Sequence, residues 1–342
     1  MEITDALDAL VNHQDLSFAS SQTLFTQAMR GQLTDVQFAG LLVGLRVKGE
    51  TSAELAGATA AMRNLSLKVE IEAEHLVDTC GTGGSGGAKL FNISTASAFV
   101  AAASGARVAK HGNRAMSSKT GSADVLEAAG VNLAITPSQV AQCIREIGVG
   151  FMFAQAHHSA MRHAATPRRE LGVRTMMNVL GPMTNPAGAK SQVIGVFAEQ
   201  WQQKMIDVLH RLGSHRALTA HSGGLDEFSL TAPARVVELH SGEIREYVVT
   251  PEDVGLTTRS MDKLICTSPE TSLQLIREAL SNVDSAAADI VAYNAGAALY
   301  TADISSSIAE GVALARNSIS EGRALHALEA LSSLTRSFGT AA

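Results

Sequence analysis

Residues 78–95 read DTCGTGGSGGAKLFNIST, and this stretch decides the fold. It holds five glycines within the seven positions from Gly81 to Gly87, and the apolar pair Leu76-Val77 precedes it. The pair predicts a short buried strand, and Asn92-Ile-Ser-Thr95 predicts the start of an alanine-rich helix. A glycine-rich connection between a strand and a helix start can present main-chain N–H groups to an anion. The stretch therefore predicts a site for phosphate or pyrophosphate, with a plain turn as the alternative. The pattern is neither a Walker loop nor a clean GxGxxG.

The chain before this stretch reads as helices only. Thr34-Asp-Val-Gln37 and Thr51-Ser-Ala-Glu54 both match a capping box, and apolar residues follow each at helical spacing. After the glycine loop, strands and helices alternate, and Ser241-Gly242 predicts a hairpin turn. The later predicted strands cover residues 107–110, 150–154, 192–197, 217–221, 236–240 and 243–249, and residues 267–340 read as helical.

This order of segments predicts an α/β fold with two domains. We expect a small all-helical N-terminal domain plus a large α/β domain with a central mixed sheet and flanking helices. The helical domain should cover residues 1–68 and be joined by a helical segment near residues 165–188. The large α/β domain should cover residues 69–342.

The composition argues against several classes of function. Of the 342 residues, 46% are hydrophobic and 18% are charged, which is typical of a chain that forms a core. The formal net charge of -6 argues against a nucleic-acid or anionic-membrane partner. The most apolar run, residues 96–109, is too short to span a bilayer. Cys80, Cys143 and Cys266 are widely spaced and odd in number, and no signal pattern opens the chain, so we expect a cytoplasmic protein with Cys80 as a small filler.

A polar cluster follows the second predicted strand. It begins with Lys110-His-Gly-Asn-Arg114 and continues with Ser117-Ser-Lys119 and Ser122. Ligands of open α/β sheets bind beyond the carboxyl ends of strands, and such cations and hydroxyls can hold phosphates through charge-assisted hydrogen bonds. The alternative is a solvated basic loop, although the segment begins on an apolar strand and contains little that would pack.

Two further groups point to a metal ion and to a carboxylate. Asp226-Glu227 follows a glycine turn and suggests Mg²⁺, which prefers oxygen ligands and keeps much of its water. An ordinary exposed acidic turn is the alternative. His157-His158 and His163 lack the i, i+4 spacing of a helical zinc motif, so zinc is not expected. Arg168 has the planar fork that suits a substrate carboxylate, and a surface cap or ion pair is the alternative.

Taken in order, these segments resemble the anthranilate phosphoribosyltransferase family. The resemblance runs from about residue 20 to the C-terminus. Each motif alone is weak, and the signal comes from seven of them in sequence. They are GTGG at 81–84, NIST at 92–95, KHGNR at 110–114, SSK at 117–119, RRELG at 168–172, NVLGP at 178–182 with TNP at 184–186, and GLDE at 224–227.

The resemblance implies transfer of the phosphoribosyl group of phosphoribosyl pyrophosphate to the amine of anthranilate in tryptophan biosynthesis, with release of pyrophosphate. It also implies Mg²⁺, at about two ions per subunit, a cleft between the two domains, and a homodimer formed through the helical domain. The positions that match the phosphoribosyl pyrophosphate site are Gly81, Gly84, Ser85, Asn92, Ile93, Ser94, Thr95, Lys110, His111, Gly112, Asn113, Arg114, Ser117, Ser118 and Ser122. Those that match the anthranilate site are Gly81, Asn113, Arg168 and Pro182, and those that match the metal site are Ser94, Asp226 and Glu227.

One departure from the family pattern lies in the glycine loop. Ser85 stands where the family usually has an aspartate, and the loop to Asn92 is one residue longer. A serine can donate a hydrogen bond but cannot attract a metal ion. The departure therefore predicts weaker or differently Mg²⁺-dependent substrate binding without a change of reaction.

The chemistry implied for this site needs little acid–base help, because an aromatic amine is neutral near pH 7. We therefore expect no dedicated general base, with His111 as the residue that could assist proton removal or orient a substrate. Two other functions remain as alternatives: a pyrimidine nucleoside phosphorylase, and a non-catalytic relative that binds nucleic acid. Phosphorolysis of thymidine or uridine would support the first, and a gel shift at physiological salt would support the second.

Overall fold

The computed structural model of the protein describes residues 1–83, 89–115, 120–281 and 284–339. The chain begins with four helices: α1 (Ile3–Val11), α2 (Phe18–Met29), α3 (Asp35–Lys48) and α4 (Ser52–Leu65). Both predicted capping boxes form. The N–H of Gln37 donates to Thr34 Oγ1, and the N–H of Glu54 donates to Thr51 Oγ1, each over 3.2 Å. The all-helical N-terminal domain predicted from the sequence is confirmed.

The remaining elements alternate between strands and helices and then return to helices, as predicted. They are β1 (Leu76–Gly81), α5 (Ile93–Ala103), β2 (Arg107–Gly112), α6 (Ser122–Ala128), α7 (Pro137–Ile147), β3 (Val149–Phe153), α8 (Ala154–His157), α9 (Arg162–Leu171), α10 (Met177–Leu180), β4 (Ser191–Gly195), α11 (Gln202–Arg211), β5 (Arg216–His221), β6 (Ala234–His240), β7 (Glu243–Val249), α12 (Pro269–Ser281), α13 (Ala286–Thr301), α14 (Ile308–Ser320) and α15 (Arg323–Ser337).

The strands form one mixed sheet in the order β3-β2-β1-β4-β5-β6-β7. The first five strands in that order run parallel, and β6 and β7 add antiparallel to the β5 edge. The predicted hairpin joins β6 to β7. Ser241 has φ 51° and Gly242 has φ 86°, and two consecutive positive φ angles are what a tight hairpin turn requires.

The two faces of the sheet bury separate apolar cores. Neighbouring residues on a strand point to opposite faces, so Val193 belongs to one core and Ile194 to the other. The first core includes residues of α5 and α12 to α15. The second includes residues of α1 to α4 and α11, together with Ala164 of α9 and Met177 of α10. This shared core supports the grouping of residues 165–188 with the helical domain, and the domain boundaries themselves remain a prediction.

Length and composition of the helices bear on membrane insertion. Within the four described ranges, none of the helices combines the length and the apolar character that a membrane crossing needs.

Candidate active site

The carboxyl ends of the central parallel strands meet at one edge of the sheet. β1 ends at Gly81, β2 at Gly112, β4 at Gly195 and β5 at His221. Because these strands are parallel, the glycine loop, the 110–114 segment and the acidic turn at 222–227 all leave the sheet at that edge. The fold therefore brings together three groups that the sequence separates by up to about 140 residues.

The carboxylate of Asp226 lies against the start of the glycine loop. The N–H of Gly83 donates to Asp226 Oδ2 over 2.9 Å. A Cβ atom at Gly81 would lie 3.1 Å from the same oxygen, and one at Gly195 would lie only 1.6 Å from the main-chain oxygen of Asp226. Glycine on β4 is therefore what lets the acidic turn cross the strand ends.

Glu227 is the second carboxylate of this turn and is partly buried. It lines a narrow cavity together with Thr79, Ser94 and Phe228. Burial first, and the neighbouring charge of Asp226 second, raise the pKa of Glu227 above its usual range. Two adjacent carboxylates in such surroundings gain stability from a bound cation.

Lys110 supplies a buried positive charge beside these carboxylates, with 3% of its surface exposed. Its Nζ donates to the main-chain oxygen of Thr79 and, over 3.3 Å, to Ser94 Oγ. The pKa of Lys110 is lowered, because the effect of burial outweighs that of the Asp78 and Glu227 carboxylates, which act to raise it. The lysine thus ties β1, the start of α5 and the acidic turn into one polar cluster.

The predicted helix start at residues 92–95 is confirmed, because α5 begins at Ile93 with Asn92 as its N-cap. The Asn92 side chain is part of a link between segments: its Oδ1 accepts from Thr120 Oγ1 over 3.0 Å and from Ser272 Oγ over 2.7 Å. The hydroxyl of Thr95 is buried and has no hydrogen-bond partner in the described part of the chain. The N–H groups of Ile93 and Thr95 donate to the main-chain oxygens of Phe91 and Asn92, over 2.7 and 3.1 Å, so the helix dipole and the Ser94 hydroxyl are what suit this end of α5 to an anion.

The segment after β2 is held by a buried carboxylate and by close packing. Asp78 is fully buried, and its Oδ1 accepts from the N–H of His111 over 3.2 Å. A Cβ atom at Gly112 would lie 2.1 Å from Ser122 Oγ, and that hydroxyl donates to the main-chain oxygen of Asn113 over 3.3 Å. The structure therefore gathers Gly112, Asn113 and Ser122 as the sequence predicts.

The side chain of Arg114 binds to α6 and not to the other polar residues of this segment. Its guanidinium binds Glu127 on α6, with Nη2 2.8 Å from Glu127 Oε1, and Nη1 lies 3.3 Å from Asp124 Oδ1. The guanidinium also lies over the Phe153 ring, 5.3 Å from its centroid. A phosphate contact of the Arg114 side chain therefore remains a prediction that would require these ion pairs to open.

Arg168 and Pro182, predicted to contact anthranilate, lie in α9 and just after α10. Burial lowers the pKa of Arg168, and none of the described carboxylates lies within ion-pair distance of its guanidinium. The main-chain oxygen of Pro182 accepts from Gln192 Nε2 over 3.0 Å and from Cys80 Sγ over 3.8 Å. The expectation that Cys80 is a small buried filler is confirmed, since burial raises the pKa of its thiol well above the usual value.

His111 of the 110–114 segment belongs to a group of buried histidines. The rings of His111 and His158 are 5.0 Å apart between centroids, and Nε2 of each is buried without a hydrogen-bond partner among the described residues. Burial lowers the pKa of His111 well below its usual value and lowers that of His158 to about 4. His157 is also buried, and its Nδ1 lies 2.8 Å from the main-chain oxygen of Leu67. These rings are therefore uncharged at neutral pH.

Two residues that sequence reasoning missed hold the acidic turn in place. Asn294 of α13 bonds both main-chain groups of Phe228: the Phe228 N–H donates to Asn294 Oδ1 and Asn294 Nδ2 donates to the Phe228 oxygen, each over 3.0 Å. His221 pairs through Nδ1 with the Val196 oxygen at 2.7 Å, and its Nε2 accepts from the N–H of Gly224 over 3.2 Å. The sequence signal that could have pointed to Asn294 is an isolated asparagine within an alanine-rich helix.

Four residues predicted for phosphoribosyl pyrophosphate, Gly84, Ser85, Ser117 and Ser118, lie outside the described residues, and so does the Ser85 departure. Within the described ranges, His, Cys, Asp and Glu side chains do not form a group of three or more that could hold a metal. A metal at Asp226 and Glu227 would therefore need hydroxyl, water or substrate oxygens as its other ligands, which is how Mg²⁺ is usually bound.

Comparison with protein families gives two matches, one in the helical part of the chain and one in its α/β part. Residues 4–66 match the helical bundle domain of a glycosyl transferase family, and residues 73–325 match the α/β domain of a glycosyl transferase family. An anthranilate phosphoribosyltransferase of Ectopseudomonas mendocina (strain ymp) is 52% identical over 343 residues, covering 99% of this chain and 98% of that protein. The anthranilate phosphoribosyltransferase of Azotobacter vinelandii (strain DJ / ATCC BAA-1303) is also 52% identical, with the same coverage.

Solved structures agree with these matches. The crystal structure of anthranilate phosphoribosyltransferase from Thermus thermophilus superposes with a TM-score of 0.91 at 43% identity, covering 97% of this chain and 99% of that one. Anthranilate phosphoribosyltransferase from Saccharomyces cerevisiae in complex with PRPP and Mg superposes with a TM-score of 0.87 at 23% identity, covering 98% of each chain, and this likeness concerns the fold.

Proposed function

The chain belongs to the anthranilate phosphoribosyltransferase family of tryptophan biosynthesis, and we propose that the polar cluster at the sheet edge is where it carries out the transfer. The observation that carries this proposal is the cavity lined by Ser94 and Glu227, with Lys110 Nζ 3.3 Å from Ser94 Oγ and with Asp226 against the glycine loop. The chain transfers a phosphoribosyl group to anthranilate, so this cluster is assigned to the end of the substrate that carries the pyrophosphate. The phosphorylase and nucleic-acid alternatives are not retained, because relatives at 52% identity over nearly the whole chain are transferases of this one kind.

Phosphoribosyl pyrophosphate would lie across the starts of α5 and α6. The positive end of the α5 dipole, the Ser94 hydroxyl and the main chain of Gly81 would face its phosphate oxygens. Gly112, Asn113 and Ser122 form the facing side of this site. Lys110 adds a positive charge that is already held in place, so little reorganisation is needed when negative charge develops.

The residues present fit Mg²⁺. Asp226, Glu227 and Ser94 offer oxygen atoms only, and burial with a neighbouring charge leaves Glu227 in need of a cation. We assign those three residues to the metal and expect about two ions per subunit. When bound, Mg²⁺ neutralises the charge that pyrophosphate carries as it leaves.

Anthranilate would be held between the helical segment that carries Arg168 and Pro182 and the sheet edge. Arg168 suits its carboxylate, because a planar guanidinium matches a carboxylate with two parallel hydrogen bonds and this one has no carboxylate partner in the described residues. Gly81 and Asn113 would line the same site, and Pro182 would border the aromatic ring. Arg63 of α4 fixes the segment around Pro182, since its Nε donates to the Met183 oxygen over 2.7 Å.

The transfer forms a bond between the amine nitrogen and ribosyl C1 while the bond from C1 to the pyrophosphate oxygen breaks. The pyrophosphate takes the electron pair of the broken bond, and the proton that the amine loses passes to solvent water. Lys110 and the positive end of the α5 dipole stabilise the departing charge, and positioning of the two substrates supplies much of the remaining effect. His111 is neutral and weakly basic in its buried site, so we assign it an orienting role beside the amine and no role as a strong base.

The turnover experiment follows anthranilate fluorescence in the presence of phosphoribosyl pyrophosphate and Mg²⁺. We expect the fluorescence to fall with matching release of pyrophosphate, and to stay constant when either phosphoribosyl pyrophosphate or Mg²⁺ is omitted. Phosphorolysis of uridine or thymidine with no loss of anthranilate would contradict the proposal.

We also propose that the chain forms a homodimer through its helical domain. Val36, Val43 and Val47 of α3 are exposed by 82%, 37% and 71%, and their spacing of seven and four residues places them on one stripe of the helix. An exposed apolar stripe of this kind suits a second copy of the chain. Sedimentation should give a dimer for the wild type and a monomer for Val43→Glu with Val47→Glu, and an unchanged mass for that variant would refute this interface.

A cytoplasmic location is proposed from the cysteines. Cys80, Cys143 and Cys266 are all free and buried, which suits a reducing compartment. Cell fractionation with a cytoplasmic marker enzyme tests this directly, and recovery with a periplasmic or membrane marker would contradict it.

A further inference from the structure

Asp124, in the first turn of α6, joins two parts of the chain that flank residues 116–119. Its Oδ2 accepts from the N–H of Ala115 over 2.9 Å and from the N–H of Gly121 over 2.8 Å. Its Oδ1 lies 3.3 Å from Nη1 of Arg114. One carboxylate therefore fixes the segment that leaves β2 and the segment that enters α6.

The two segments are also in direct contact, with no room for a side chain between them. A Cβ atom at Gly121 would lie 2.4 Å from the Ala115 nitrogen and 2.5 Å from the Asn113 oxygen. The Asn113 oxygen in turn accepts from Ser122 Oγ over 3.3 Å and from the N–H of Ala123 over 3.2 Å. The place of Asn113 and Ser122 at the sheet edge therefore depends on how these two segments are held together.

Helix capping explains only part of what Asp124 does. Gly121 is the N-cap of α6 and has no side chain, so capping here consists only of the bond from the Gly121 N–H to Asp124. The bond to Ala115 reaches back across the loop, and the contact with Arg114 assists Glu127 in holding that guanidinium against α6. Burial opposes the charged form of Asp124, but these N–H donors and Arg114 outweigh it and hold the pKa below its usual range.

We propose that Asp124 is a positioning residue for phosphoribosyl pyrophosphate, acting through the main chain that carries Asn113 and Ser122. This inference rests on the proposed assignment of that substrate to the sheet edge. When the carboxylate is removed, the N–H groups of Ala115 and Gly121 lose a shared acceptor and the two segments can separate. The donors that face the substrate then lose their preorganisation, which costs affinity even though Asp124 does not touch the ligand.

The test measures the dissociation constant of phosphoribosyl pyrophosphate with Mg²⁺ by calorimetry, for the wild type and three variants of Asp124. Asp124→Ala should bind about tenfold more weakly or worse. Asp124→Asn should bind within about threefold of the wild type, because one amide oxygen can accept both N–H groups. Asp124→Glu keeps the charge but places its oxygens one carbon further out, so it should bind at least about threefold more weakly than Asp124→Asn.

These outcomes separate the inference from its premise and from a purely structural role. Wild-type affinity in Asp124→Ala, or equal affinity in the Asn and Glu variants, would overturn the inference while the proposed function stands. No binding to the folded wild type would overturn both. If Asp124→Ala does not fold, the order of the Asn and Glu variants still decides, because loss of helix capping alone would lower their thermal midpoints without ranking their affinities in this way.

Discussion

His158 should make the stability of this protein fall steeply when the pH drops below 6.5. The ring is 6% exposed, it packs 5.0 Å from the His111 ring, and burial lowers its pKa to about 4. In the unfolded chain a histidine titrates at about 6.5. Between these two pKa values the unfolded state binds a proton that the folded state does not bind. The free energy of unfolding therefore decreases as the pH falls.

The magnitude follows from the two pKa values. With about 6.5 in the unfolded chain and about 4 in the folded protein, a change from pH 7 to pH 5 removes about 2 kcal/mol through His158 alone. The contribution of His158 is fully present above pH 6.5 and is lost completely near pH 4. Burial also lowers the pKa values of His111 and His157, so their contributions have the same sign.

Urea unfolding at pH 7 and pH 5, followed by circular dichroism, measures this effect for the wild type, for His158→Gln and for the control His326→Gln. His326 is an exposed residue of α15. The loss of stability between the two pH values should be smaller by about 2 kcal/mol in His158→Gln than in the wild type, and unchanged in the control. The reasoning is refuted when His158→Gln loses as much stability as the wild type, because the proton uptake would then occur elsewhere.

Three further predictions concern the site. Arg168→Gln should raise KM for anthranilate by roughly 10- to 150-fold, the equivalent of about 1.5–3 kcal/mol for a lost charged hydrogen bond, while KM for phosphoribosyl pyrophosphate changes little. Steady-state rates that show equal effects on both substrates would mean that Arg168 does not bind the anthranilate carboxylate. Gly195→Ala places a Cβ 1.6 Å from the Asp226 oxygen, so we expect loss of stability by about 1–3 kcal/mol in urea unfolding and a higher Mg²⁺ requirement, and an unaltered Mg²⁺ titration would contradict this. Asn294→Ala leaves the N–H and oxygen of Phe228 unpaired in a buried place, so it should cost about 2–5 kcal/mol, and a thermal midpoint equal to that of the wild type would show that water replaces the amide.

The fold could be predicted from the sequence because its signals are local. The capping boxes at Thr34 and Thr51 begin helices wherever the rest of the chain lies, since their hydrogen bonds join residues three apart. The glycine loop after β1 and the polar segment after β2 are each read from a strand and its next few residues. The rule that ligands bind beyond the carboxyl ends of parallel strands then brings these local signals to one edge.

The details of the site could not be predicted, because they depend on partners distant in sequence or on competition between neighbours. Asn294 holds Phe228 across 66 residues, and no spacing rule connects an asparagine in one helix to a turn before it. Arg114 lies within the predicted phosphate-binding segment, yet its guanidinium binds Glu127, which is 13 residues further on. A cationic side chain near a strand end can bind a ligand or a protein carboxylate, and only the geometry of α6 decides between them.

The central claim is that Asp226 and Glu227, with Lys110 and the start of α5, form the site of phosphoribosyl pyrophosphate and Mg²⁺. Calorimetric titration of the wild type with phosphoribosyl pyrophosphate, with and without Mg²⁺, tests it most directly when Asp226→Asn with Glu227→Gln is titrated in parallel. We expect Mg²⁺ to strengthen binding to the wild type about tenfold or more and to have no such effect on the double variant. Equal strengthening by Mg²⁺ in both proteins would place the metal and the pyrophosphate elsewhere and contradict the account.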